Sequence, residues 1–405
     1  MKDFFKALMD AIRSLFGLSV QPAPTKDEQV IIPTEPPIVV EPPKPNPVLE
    51  PEQLEPVTEV KPEPKPVEQP KPEPVIIPIT PKPEPKPDSL PPAANLTLKQ
   101  SPIKWGLAMK EAHLKDKEII EEAFKHFGSL SGENSFKPGH IQKKEGVFDF
   151  SNAKALVKIA KAKGMRVHGH ACFVWPSQQS KLPKFWHEAA KDKKKYIALL
   201  KNSVQTVVRE FKEDVFAWDI VNEAHEDDGS LRPCYALTHM GPSYIEQIAG
   251  WVKEVQHTAQ RFISDYDFET SSNKAAVVIE YAGSLKKKGI IEGISSQMHI
   301  RLKMKYDTYV ERLQRMAKAG LLVHLSELDV VATPAQEKEK AEKYKEVVKG
   351  FRTLPGSLQY GITVWSFQDD WNFMNYQKDP KPFAPAIFSK GYKGGLTLPA
   401  ILSVK

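Results

Sequence analysis

Residues 215–232 read VFAWDIVNEAHEDDGSLR. An apolar run of strand length, 215–221, stops at Asn222 and Glu223 and gives way to a polar, turn-rich segment. Short apolar runs rich in β-branched and aromatic residues and bounded by such signals read as buried strands. The same unit recurs at 103–107, 127–130, 166–174, 261–265, 293–299, 322–329 and 361–367, which makes eight strands. Helical patterns lie between them. Over 196–211, Tyr196, Leu199, Leu200, Val204, Val207, Val208 and Phe211 form one apolar stripe, and 307–319 carries Val310, Leu313 and Ala317 in the same way. Ser151 is the expected N-cap, and Gly164 the expected residue beyond the C-cap, of the helix between the second and third strands. Eight strand–helix units predict a (β/α)8 TIM barrel, whose functional residues gather at the C-terminal ends of the strands. A doubly wound open sheet is the alternative, but neither GxGxxG nor GxxxxGK[ST] follows any strand.

The barrel accounts for residues 94–405. Upstream the chain changes character: 24 of its 36 prolines fall between Pro22 and Pro92, a stretch without glycine or aromatic residues. Repeats such as KPEPKP disfavour helix and bury too little apolar surface to offset the entropy of ordering, so 22–93 is expected to be a disordered Pro-rich linker. A spacer of polyproline-II type explains it more economically than a ligand for polyproline-binding modules. Residues 1–21, MKDFFKALMDAIRSLFGLSVQ, space Phe4, Phe5, Leu8, Ile12, Leu15 and Phe16 as one amphipathic helix. It reads either as a docking segment for a membrane surface, a partner or a larger assembly, or as a marginally ordered tail. Asp10 and Arg13 interrupt the apolar core that a secretory signal needs, and no later stretch is long enough to span a membrane.

Charge divides along the same boundary. The stretch 22–92 holds 7 Lys against 13 Asp and Glu, whereas 93–405 holds 47 basic against 36 acidic residues. That basic excess is spread along the sequence, with no Lys/Arg run interleaved with aromatics, so nucleic acid is not an expected partner. Two cysteines, Cys172 and Cys234, are too few for a disulfide framework and lack metal-ligand spacing.

Polar residues stand at the ends of the expected strands. Glu133, Asn134 and Lys137 follow the second, His170 and Trp175 the third, and Asn222 and Glu223 the fourth. Gln297 and His299 follow the sixth, Glu327 and Asp329 the seventh, and Trp365, Asp369, Asp370 and Trp371 the eighth. A mouth lined by two carboxylates, amides, imidazoles and indoles suits a polyhydroxylated substrate. Carboxylates can do acid and nucleophile work, amides bind hydroxyls, and indoles stack on sugar rings.

WDIVNEAHEDDGSLR (218–232) resembles the acid/base segment of glycoside hydrolase family 10, the retaining endo-β-1,4-xylanases, and HLSELDV (324–330) resembles its nucleophile segment. GENSFKPGHIQKKEGVFDF, GMRVHGHACFVWPSQ, ISDYDFE, GISSQMHI and GITVW resemble further family segments in the same order, from about residue 101 to the end. The resemblance implies that Glu223 is the general acid/base and Glu327 the nucleophile, with Asn222 touching the sugar 2-OH and His299 and Asp329 orienting Glu327. It further implies that Glu133, Asn134, Lys137, His170 and Gln297 bind glycone hydroxyls and that Trp175, Trp365 and Trp371 wall the site. Xylan or a related β-1,4-linked polysaccharide is the implied partner, and the chemistry needs no metal or cofactor.

The chain departs from the family pattern in three places. It has one more residue than usual between His170 and Trp175, with Pro176 where a second His is common; it reads SDYDFE around Tyr266 and Asp267; and Trp371 follows Trp365 early. A non-catalytic glycan-binding protein and a retaining hydrolase of another β-1,4-glycan are the alternative functions. The family acts mostly outside cells; with so poor a match to a signal peptide at 1–21, export by another route and display on a larger particle such as a virion are both open.

Overall fold

The computed structural model describes residues 96–270, 272–371 and 383–405. The expected helix 1–21 and the expected linker 22–93 lie outside the described residues.

Nine parallel strands form one sheet: β1 (Trp105–Met109), β2 (Ser129–Gly132), β3 (Arg166–Gly169), β4 (Val215–Asn222), β5 (Gln260–Asp265), β6 (Gly293–Ser296), β7 (His299–Arg301), β8 (Leu322–Val331) and β9 (Gln359–Val364). Their order is β6-β5-β4-β3-β2-β1-β9-β8-β7, and an added β6–β8 pairing closes the sheet into a barrel. Every connection except the two-residue break between β6 and β7 is a crossover, the arrangement that parallel strands require. The chain therefore forms the (β/α)8 TIM barrel. β7 is no ninth stave. The expected single strand 293–299 breaks at Met298, whose φ is +59°, and its two pieces pair in turn with the long β8.

Most strand expectations hold in position and shift at the ends. The first strand starts at Trp105 rather than residue 103, the second at Ser129 rather than 127, and the last runs 359–364 rather than 361–367. β3 stops at Gly169, after which Val174 still bridges back to β4, at Val221. The striped helix spans Lys193–Phe211, with Asp192 as N-cap accepting from the Lys195 amide. All seven stripe residues are buried in it. The second expected helix spans Tyr306–Lys318. Ser151 is the first residue inside its helix, not the cap; the cap position falls to Phe150, and Asp149 accepts from the Ser151 amide at 2.9 Å, satisfying one of the free donors of the first turn. Gly164 does follow the C-cap Lys163, at φ +64°, where a side chain would be strained.

Inside the barrel the packing changes character from floor to mouth. Ala217, Phe262 and Tyr360 form an apolar floor against Phe216 and Leu322. Tyr360 lies 4.7 Å from Phe262 and 4.9 Å from His324 between ring centroids. Beyond them is a polar layer of His168, Asp219, Ser295, His324 and Thr363, all buried. Gly169 is required just beneath the site: a Cβ there would sit 2.2 Å from the Trp218 ring, which packs flush against β3.

Candidate active site

The site begins with a charge in an apolar strand. Asp219, 1% exposed, would be costly without partners. It has four: His170 Nδ1 at 2.8 Å, His168 Nε2 at 3.1 Å, the Ser295 hydroxyl at 2.6 Å, and the amide of Cys172, which donates to its backbone carbonyl. Burial alone would raise the Asp219 carboxyl, but His168 and His170 outweigh it and hold it well below the usual range. His324, hydrogen-bonded to Thr363 at 2.8 Å and to Ser295 at 3.3 Å, is driven down by burial and by neighbouring His168, so it stays neutral. His168, Asp219 and His324 are the one triplet among the described residues whose spacing could hold a metal ion. Their atoms are already engaged with one another and with Tyr360, Ser295 and Thr363, so we read the triplet as the scaffold that fixes His170.

Between His170 and Trp175 the backbone makes a sharp turn. Cys172 takes a left-handed conformation, φ +47°, and its Sγ lies 3.2 Å from His170 Nε2. Burial pushes this thiol far up. Cys172 and Cys234 are both buried and free, and no disulfide joins them. Once the chain has made this turn, Trp175 reaches the end of β4, where its Nε1 donates to Glu223 Oε2 at 2.9 Å.

Glu223 is itself left-handed, φ +51°, and its amide donates to the Ser264 carbonyl, continuing the β4–β5 pairing by one residue. A non-glycine residue held in this region stores strain that only a strong surrounding constraint sustains, a pattern that clusters at functional sites. Four donors surround its carboxylate: Trp175 and Ser177 on Oε2, and the Asn222 and Gln297 amides, each at 3.2 Å, on Oε1. Gln297 also ties the two carboxylates together, since its backbone carbonyl accepts from the Glu327 amide at 3.0 Å.

Glu327 is buried within β8. The β7–β8 register sets His299 directly beside Asp329. His299 Nδ1 lies 3.1 Å from Asp329 Oδ1, and its Nε2 lies 3.4 Å from Glu327 Oε2. Burial would lower the His299 pKa, but Asp329 and Glu327 together raise it well above the free value, so the ring is an imidazolium between two carboxylates.

The remaining expected residues surround this pair. Glu133, its amide bonded to the Met109 carbonyl, has its carboxyl raised to about 7 by burial, with Lys110 and Lys137 opposing and Glu327 adding to the rise. Asn134 lies in the same turn, its carbonyl accepting from the Lys137 amide. Lys137, 7% exposed, holds its ammonium 4.2 Å above the Trp175 ring. Trp365 packs edge-on to His170 at 5.7 Å. The backbone of Trp371 ends the described segment 272–371; its side chain lies outside the description. Tyr266 is tied to Arg232 and Asp227 beyond β5, with the Lys274 ammonium 3.2 Å from its ring centre.

Three contributors were not singled out in sequence. Asp219 and Ser295 carried a usable signal, polar groups inside apolar strand runs that must find buried partners. Ser177 carried none, because an exposed loop serine is ordinary.

Comparison with known proteins fits this geometry. Exoglucanase XynX from Acetivibrio thermocellus and endo-1,4-beta-xylanase A from Thermoanaerobacterium saccharolyticum are each 30% identical over 304 residues, 70% of this chain. The matches cover 27% and 25% of those proteins, so the chain spans about a quarter of the length of these two relatives. The crystal structure of xylanase 10B from Thermotoga petrophila RKU-1 in complex with xylobiose is 28% identical, covering 75% of this chain and 93% of that one, with a TM-score of 0.69. The family model for glycosyl hydrolase family 10 matches residues 93–403, and the chain belongs to that family.

Proposed function

We propose that the protein is a retaining endo-β-1,4-xylanase. The observation that carries this reading is the unequal setting of the two glutamates that β4 and β8 bring to one groove: four neutral donors around Glu223, and an imidazolium against Glu327. The cation beside Glu327 aims its oxygen for nucleophilic attack, whereas Glu223 is positioned by neutral groups with no fixed cation set against it, the division of roles that acid/base and nucleophile require.

In the first step a Glu327 oxygen attacks the anomeric carbon while Glu223 gives its proton to the departing glycosidic oxygen, leaving a glycosyl ester on Glu327. Water then enters. Glu223 takes a proton from it, the oxygen attacks the same carbon, and Glu327 leaves with its electron pair. Two inversions at one carbon give net retention. Asn222 contacts the 2-OH of the sugar at the reacting centre, and His299 with Asp329 keeps the Glu327 oxygen aimed through both steps. Glu133, Asn134, Lys137, His170 and Gln297 hold glycone hydroxyls, with Trp175, Trp365 and Trp371 as walls.

The exoglucanase among the relatives favours a second reading, a retaining hydrolase of another β-1,4-glycan. Hydrolysis of xylan, barley β-glucan and cellulose, followed by product length and anomeric NMR, separates the two. The expected result is internal cleavage of xylan with initial release of the β-anomer. Faster cleavage of a glucan transfers the assignment to the second reading, and binding to all three without cleavage overturns both.

A further inference from the structure

Next to the glycone side of the groove, the barrel mouth continues into a cavity of about 270 Å³. Asn134, Lys137 and Trp175 form its border with the groove. Val174, Leu182 and neighbouring aromatic side chains make its inner wall apolar, and His140, Lys143 and Lys181 line it from the short helical turns Pro138–Ile141 and Pro176–Lys181 and the residues just after the first. No aspartate or glutamate is among its lining residues. The adjoining groove is the reverse, with Glu133, Glu223, Glu327 and Asp329 gathered around one end. Neither Lys143 nor Lys181 forms a salt bridge among the described residues; Lys143 Nζ donates to the Gly139 carbonyl at 2.8 Å, leaving its other protons free to donate. The local field is felt by His140, which burial first, then Lys143 and Lys137, drive below its usual range despite Glu111.

A neutral polysaccharide backbone gives no reason to gather uncompensated cations there. We propose that the cavity is a side-group subsite for a carboxylate-bearing sugar: a uronic acid branching from a backbone unit bound on the glycone side. Lys143 and Lys181 receive the carboxylate, and the sugar ring lies against the Val174 and Leu182 wall. Pairs of this kind at a partly solvated rim are worth modest energies each and are weakened by salt, so the site sets preference rather than absolute specificity. It rests on the xylanase reading of the groove it adjoins.

The test compares kcat/KM of the full chain on linear xylohexaose, neutral arabinoxylan and glucuronoxylan, at low and high salt, with Lys143→Gln/Lys181→Gln and Lys143→Glu/Lys181→Glu alongside. Glucuronoxylan activity is expected to fall about three- to tenfold in the Gln pair and further in the Glu pair, and to fall with salt in the native protein alone. Activity on xylohexaose and arabinoxylan should not change, which also shows that the variants are folded. Mass spectrometry should find the uronic acid on the glycone product, inward from its new reducing end. Equal effects on all three substrates, or uronic acid found only on the aglycone product, overturns the subsite while leaving the xylanase assignment standing. Failure of the native protein to cleave xylohexaose overturns the xylanase reading, and the subsite with it.

Discussion

The ends of β4 and β8 each present a glutamate to the same groove, and they are built on opposite principles. At the end of β4, Glu223 stands on strained backbone and is held by side chains from four positions, none of them charged. On β8, Glu327 is buried within the strand, where the pairing with β9 shifts register, and faces a single imidazolium that is itself anchored by Asp329. Orientation by many weak donors fixes where a proton will be delivered without fixing whether it is present. Orientation by one ion fixes the charge. Two identical side chains are thereby given different chemistry by their surroundings.

The largest effects should come from removing either carboxylate, and the two losses should differ in kind. Glu327→Ala should lower xylan hydrolysis on the order of 10⁴-fold or more, with every leaving group, because no glycosyl ester can form. Glu223→Ala should be as damaging on xylan but should spare the first step on aryl glycosides with good leaving groups, and azide should then restore turnover by attacking the accumulated ester. Kinetics on nitrophenyl xylobioside with and without azide check this. A β-glycosyl azide, the product of two inversions, from the Glu327 variant and an α-azide from the Glu223 variant would reverse the two roles.

How much of this asymmetry could be read in advance varies with its physical origin. The apolar run ending at Asn222 and Glu223 and the order of the segments disclose the barrel, because strand period and strand-end polarity are local properties of sequence. The β7–β8 register that puts His299 beside Asp329 is a consequence of closing the barrel, and so is the junction of β4, β5 and β6 at Gln297. Left-handed Cys172, Glu223 and Met298 were illegible for another reason: none is glycine, and each is forced into that region by its surroundings rather than by its own preference. The donors to Glu223 follow from those turns. Its identity was legible, and its environment was not.

A smaller effect should follow from taking away the ion. His299→Asn should reduce kcat/KM on the order of 10- to 100-fold, since Glu327 loses the cation that aims its oxygen. Stability carries an independent sign. The His299 pKa is raised in the folded protein, so its contribution is fully present below the unfolded value of about 6.5 and is lost as pH rises through the folded value. Denaturant titrations should therefore show the Asn variant's deficit largest near neutral and acidic pH and shrinking in alkali. A deficit that stays constant across pH would mean that His299 acts only as packing.

The smallest effect should appear where support is shared. Ser177 is one of four donors to Glu223 and sits on the exposed loop after β3, so Ser177→Ala removes one neutral hydrogen bond and lets water replace it. A loss of about two- to fivefold in kcat/KM is expected. This modest number is the sharper half of the comparison. If the Ser177 variant loses as much as the His299 variant, the neutral donors do not share the work and Glu223 depends on one critical contact, as Glu327 does. The two strand ends would then differ in charge alone, and the proton-carrying role of Glu223 would have to come from the substrate's arrival rather than from the resting site.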